Sequence, residues 1–191
     1  MLIPVRTLAV ASLLLAPALL GANAATQVPD TAGLQFQGFR AGARLEELQL
    51  HLRAIGGSRM RCRQSRVDRR VNECRAVLTA KEGGSVELWV SAMDSLAGVI
   101  TLSGVLAPGE LERWRETLEE SYGRAGPRVQ GAQWMLQWVR RGRMIRLTWR
   151  LERAGKVASV SLVDGHVLDG WGRSSRATTR PDSAQPASRA R

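Results

Sequence analysis

The clearest pattern in the chain runs from Gln133 to Trp171, QWMLQWVRRGRMIRLTWRLERAGKVASVSLVDGHVLDGW, where apolar and polar residues alternate. Alternation with a period of two marks strands with one buried face. Glycines at Arg-Arg-Gly-Arg and Arg-Ala-Gly-Lys supply two turns, so the stretch predicts three antiparallel strands. A two-residue loop at Arg141–Gly142 pairs Trp138 with Ile145, Leu136 with Leu147 and Trp134 with Trp149. A second loop at Ala154–Gly155 pairs Leu151 with Ala158, Trp149 with Val160 and Leu147 with Leu162. Both hairpins put the same residues of the middle strand on one face, which assigns Trp134, Trp138 and Trp149 to the core. The other face reads Gln133, Met135, Gln137, Met144, Arg146, Thr148, Arg150, Ser159 and Ser161, and is free for solvent or a partner.

The earlier chain carries the same two periods. Leu34–Phe39 reads as a short strand or an arm. Leu45, Leu48, Leu52 and Ile55 form one helical stripe that ends at Gly56–Gly57. Strands follow over Arg59–Gln64, Val71–Ala80, Ser85–Ala92 and Val99–Leu106, with MDSLAG as the last turn. Pro108 opens a second helix whose stripe is Leu111, Trp114 and Leu118, closed by Tyr122 and Gly123. The loop GRAGPRVQG leads into the final strands. The order predicts an α+β fold of two tandem units, each a helix on an antiparallel meander (α-β-β-β-β-α-β-β-β), with both helices on one face of the sheet.

Composition bounds the domain. The opening MLIPVRTLAVASLLLAPALLGANAA has the form of a secretory signal peptide, with cleavage expected near Ala24. Residues 25–33 read as a flexible lead-in, 34–171 as one secreted domain, and 172–191 as a disordered tail without a large apolar residue. The expected location is therefore the periplasm or the extracellular medium. Formal net charge is +11, and 26 of the 28 basic residues are arginine. Removing Arg6 and the tail's net +4 leaves +6 on the lead-in and domain together. Arginine favours bidentate contact with carboxylate or phosphate, although a GC-rich genome raises arginine everywhere. Cys62 and Cys74 are the only cysteines. In a secreted chain they predict one disulfide closing a polar hairpin tip, with Met60 opposite Ala76 and Arg63 opposite Glu73.

Catalytic chemistry is sparse. His166 lies between Asp164 and Asp169, a combination that suits a general base or a metal ligand. The plainer reading is a loop histidine beside an Asp-Gly turn. His51 flanks the first helical stripe as a partly buried structural residue. With both cysteines bridged, the sequence implies no metal site and no cofactor, and it contains no phosphate-binding loop or nucleophile elbow. Trp89, on the polar side of its strand, and Trp171 are the exposed aromatic candidates. The binding candidates are Gln133, Gln137, Met144, Arg146, Arg150 and Trp89.

Two local patterns carry a family resemblance. FQGFRAGARLEEL resembles the glycine-spaced, Glu-Glu opening of small bacterial envelope domains of the SmpA/OmlA (outer-membrane-assembly lipoprotein) kind. YGRAGP is similar to the Gly-x-Pro that ends that family's helix, with an insertion. The tandem layout looks like the beta-lactamase-inhibitor-protein-like fold. The match covers about twenty residues, and the lipid-anchor cysteine is missing. The resemblance implies binding or assembly through the open sheet face.

The expectation is thus a non-catalytic binding or envelope-assembly module whose partner is another envelope or secreted protein of acidic character, not nucleic acid. The alternatives are a small hydrolase or metal-dependent enzyme around His166, and a structural envelope protein that touches anionic lipid or polymer through its basic tail. Oligomeric state stays open.

Overall fold

The alternating stretches all form strands, and one sheet absorbs most of them. The structure, a computed structural model, describes residues 33–79 and 84–170. The signal segment, most of the lead-in, Trp171 and the tail lie outside the described residues. The order is β1 (Gln35–Phe36), β2 (Phe39–Arg40), α1 (Leu45–Ala54), β3 (Arg61–Gln64), β4 (Val71–Thr79), β5 (Ser85–Met93) and β6 (Leu96–Val105). It continues with α2 (Glu110–Tyr122), β7 (Arg128–Gln130), β8 (Gln133–Arg140), β9 (Arg143–Glu152) and β10 (Gly155–Asp164). Residues 165–170 are helical. β1 and β2 pair with each other, and the other eight strands form one sheet ordered β3-β4-β5-β6-β10-β9-β8-β7. Every pairing is antiparallel. The last strands of the two meanders, β6 and β10, lie side by side at the centre, with Leu102 opposite Val160.

One face of the sheet is the core. Cys74, Ala76, Leu88, Val90, Ile100, Leu102, Leu136, Ile145, Leu147, Val160 and Leu162 join one buried cluster with Leu48 and Leu52 of α1 and Leu111, Trp114 and Leu118 of α2. The short β1–β2 hairpin joins the same cluster. Phe36 meets Trp114 of α2 edge-on at 5.2 Å between centroids, and Phe39 meets His51 of α1 edge-on at 4.8 Å. The Tyr122 hydroxyl bonds both the amide and the carbonyl of Gln35, each at 2.7 Å. The segment expected as a strand or arm is thus a core element that contacts both helices.

Local expectations hold where they rest on alternation and shift where they rest on turns. The first late hairpin has the expected register, and Arg141 and Gly142 both take positive φ (48° and 74°), as a two-residue turn of matching twist requires. The second hairpin turns at Arg153–Ala154, not Ala154–Gly155: Ala158 pairs with Trp149 and Val160 with Leu147. The slip is two residues, so every side chain keeps its face. The pairing of β10 with β6, remote in sequence, fixes the same residues on their other side. MDSLAG turns only at Asp94–Ser95, both at positive φ, and β6 begins at Leu96. The loop before β8 contains β7, a three-residue edge strand. The second helix starts at Glu110, two residues after Pro108. Ile55 falls just past α1 and is 44 % exposed, so it leaves the apolar stripe. Trp138 is buried, and its Nε1 donates to the Gly123 carbonyl at 2.7 Å. Trp134, expected in the core, is 45 % exposed and stacks on half-buried Trp149.

Cys62 and Cys74 are bonded and directly opposite in the β3–β4 ladder, with Arg63 opposite Glu73. Cys74 is fully buried, whereas Cys62 is on an exposed edge strand. Reducing the bond, or replacing both cysteines by alanine, is expected to lower folding stability by up to about 3 kcal/mol in the chain-entropy picture. Urea denaturation with and without reductant measures it. An unchanged midpoint would show that hydrogen bonds and packing alone hold β3.

Candidate functional site

The face opposite the helices is built from the other half of each alternation. One row crosses six strands as Arg75, Trp89, Thr101, Ser161, Arg146 and Gln137, each directly opposite the next. The adjacent row reads Val77, Glu87, Ser103, Ser159, Thr148 and Met135. Small hydroxyl side chains therefore occupy the central strands β6 and β10, and larger side chains stand on either side. Thr101 and Ser161 join their hydroxyls across the central pair at 3.2 Å. These central residues are only partly buried. At one end the face is closed: Ser91 and Met93 are buried, and Gly170 of the terminal helical stretch lies close to Met93.

The binding candidates fall into separate groups. Gln137, Met144 and Arg146 come together, because Arg146 donates from Nε and Nη2 to Gln137 Oε1 at 3.2 and 3.0 Å and approaches Met144 Sδ at 3.6 Å. Arg150 is four residues along the same strand, about 13 Å away. It pairs with Glu152 and lines a cleft of about 560 Å³ with Glu87, Ser103 and Val157. Gln133 sits at the β7–β8 turn, opposite Gln130 and at a similar distance from Gln137. Trp89 is on the same face, three strands from Arg146, roughly 14 Å across the sheet. Ser103, Thr101 and Glu87 complete the surface. Their strands alternate legibly, but no local signal places β6 beside β10, and that pairing alone brings them to the candidate face.

The residues around His166 make a different arrangement. Asp164 is 2 % exposed and ends β10. Its Oδ1 accepts the amides of His166 (3.0 Å) and Val167 (3.3 Å), capping helical residues 165–170. Its Oδ2 accepts Arg143 Nε at 2.8 Å. Burial pushes the carboxyl pKa up, but the hydrogen bond and charge of Arg143 and the two amides outweigh it, and the net shift is downward. His166 is therefore helical rather than in an Asp-Gly loop, and its Nε2 meets the Arg141 carbonyl at 3.1 Å. Asp169 is exposed on the same helical stretch. His51 bonds the Gln37 carbonyl at 2.8 Å. Among the described residues, no three His, Cys, Asp or Glu side chains group as metal ligands, and no helix is long and apolar enough to cross a membrane. The disulfide is compatible with an oxidising compartment.

Comparison of the chain with protein-family models, with curated proteins and with solved structures found no match.

Proposed function

We propose that the protein is a secreted or periplasmic binding module, of the envelope-assembly accessory kind, that engages another envelope or secreted protein through the hydroxyl-floored face of its sheet. The observation that carries this reading is the pair of cross-strand rows through Thr101–Ser161 and Ser103–Ser159. They leave a broad polar surface half-exposed while the opposite face of the same strands is fully committed to the core. An antiparallel sheet with one committed and one free face has a flat, rigid surface whose side chains are available without unfolding anything. The two helix-plus-meander halves are read as tandem units, with Arg146–Gln137–Met144 and the Arg150 cleft as contact points for an acidic partner. The resemblance of FQGFRAGARLEEL to envelope-assembly domains points to the same role.

A photo-crosslinking residue at Ser159 is expected to trap a defined partner in envelope preparations, and the same residue at Glu116 on the outer side of α2 is not. Combining Arg146→Glu with Arg150→Glu should cut that adduct about tenfold without moving the melting temperature. Equal trapping from both positions, or an adduct indifferent to the charge reversal, would remove this face as the site.

A further inference from the structure

β8 is paired along only part of its outer edge. β7 covers Gln133–Met135 and stops at Arg128. The two-residue turn at Arg141–Gly142 makes Arg140 and Arg143 the hydrogen-bonded closing pair of the β8–β9 hairpin. Ladder bonds alternate from there, so the amides and carbonyls of Gln137 and Val139 point away from β9, along the line that β7 leaves empty. The chain after α2 does not fill that line. It is held across from it by Trp138 Nε1 on the Gly123 carbonyl (2.7 Å) and Arg140 Nη2 on the Tyr122 carbonyl (3.0 Å). Between the two lies a cleft of about 420 Å³.

The cleft is cationic. Among the described residues, Arg124, Arg128 and Arg140 line it and no carboxylate does. Arg140 is preorganised over the Tyr122 ring, 5.4 Å from its centroid, and retains guanidinium donors beyond its single carbonyl bond. Arg124 and Arg128 are exposed. Three guanidiniums beside free ladder groups suit a chain that has both main-chain amides and carboxylates. The protein's own tail, with five arginines against one aspartate, has the wrong sign.

We propose that this cleft binds a short, extended acidic peptide segment, which adds as a strand to β8 at Gln137 and Val139 while its carboxylates pair with Arg124, Arg128 and Arg140. The site is distinct from the sheet face above and stands or falls independently of it.

The probe is a labelled, acetylated hexapeptide of alternating threonine and glutamate, followed by fluorescence anisotropy against the full chain. Saturable binding that weakens with salt is expected, with amide shifts at Gln137 and Val139 in the protein's NMR spectrum. Arg124→Glu with Arg128→Glu should weaken binding about tenfold or more, and Arg66→Glu, an exposed arginine between β3 and β4 at the opposite edge of the sheet, should leave it within about twofold. A peptide N-methylated at alternate amides should not bind, because it cannot complete the ladder. Arg124→Gln with Arg128→Gln repeats the test should the charge reversal disturb the fold. Equal binding of the lysine analogue or of the N-methylated peptide overturns the proposal, as does indifference to both arginine pairs. So does a cleft that takes pyrophosphate but no peptide, or a homodimer that dissolves in the double variant.

Discussion

Replacing Asp164 by alanine is expected to cost about 3–4 kcal/mol of folding stability. The carboxylate is nearly inaccessible and uses both oxygens: Oδ2 on Arg143, Oδ1 on the amides that open the 165–170 helical stretch. Removing one partner of a buried ion pair leaves the other without its counter-charge, typically at about 3–5 kcal/mol. Arg143 is a third exposed and can turn to water, which places the ion-pair part at the lower end. Loss of the cap adds about 1 kcal/mol. The pocket is shaped for this side chain. Gly42 sits at φ +85°, and a Cβ there would stand 2.6 Å from Asp164 Oδ2. Asp164→Asn keeps the cap through Oδ1 but exchanges the Oδ2 acceptor for an amide NH2 that faces Arg143, so it loses the ion pair and should cost less than alanine by about the cap, roughly 1 kcal/mol.

The same carboxylate sets a pH dependence whose sign is fixed. Its folded pKa is below the ordinary value, so the folded state favours the ionised form. Its stabilisation is fully present above the unfolded pKa of about 3.9 and fades as pH falls through that value toward the folded one. Wild type should therefore lose more stability than Asp164→Asn between neutral pH and about pH 3. Other paired carboxylates titrate in both proteins and cancel in the difference. Urea titrations at the two pH values check it, and parallel losses in the two proteins would show that Asp164 carries no net charge-dependent stability.

Phe39→Ala should cost about 3–5 kcal/mol, the range for truncating a fully buried phenylalanine. Phe39 has no solvent exposure and packs edge-on against His51, whose ring in turn bonds the Gln37 carbonyl at the hairpin's own turn. Deleting the ring leaves a cavity between α1 and the β1–β2 hairpin and loosens the link that Phe36 and Tyr122 make to α2. Trp134→Ala is the control: a larger side chain is removed, but from a half-exposed site, and a loss near 1 kcal/mol is expected. The comparison is read from denaturant midpoints at a constant slope. A Phe39 variant no weaker than the Trp134 variant would mean that the hairpin folds onto the domain without stabilising it.

These expectations show which parts of the molecule are legible in the chain. The alternation of β4, β5, β8 and β9 assigns each side chain to a face because a strand's period of two is a local property. It survives a turn misplaced at Ala154–Gly155, since the register error is even. The Cys62–Cys74 pairing is readable for the same reason: both ends belong to one hairpin. Trp134 faces the core side yet stays half-exposed, because facing the core is not the same as being covered. Cover depends on what packs over the sheet at that point, which a period of two does not encode. Among the binding candidates, Gln137, Met144 and Arg146 meet because they are cross-strand or near neighbours within one hairpin. Gln133, one step beyond the Trp134–Trp149 pair, falls beside Arg150 at the far end of the same hairpin, and Trp89 shares their face from three strands away.

The sequence by itself determined the α+β class, the two apolar helix stripes, the inward and outward faces of the long strands and the disulfide partners. All of these follow from periodicity or from contacts within one hairpin. The tertiary structure decided the rest. It set β6 beside β10, which assembles the Thr101–Ser161 floor. It packed Phe36 against Trp114 of α2 and Phe39 against His51 of α1, and it buried Asp164 between Arg143 and the amides that open the 165–170 helical stretch. It also ended β7 early enough to leave β8 an open, arginine-lined edge. Each of these depends on residues far apart in the chain, whose meeting is fixed by the burial of one shared core and by no local preference of their own.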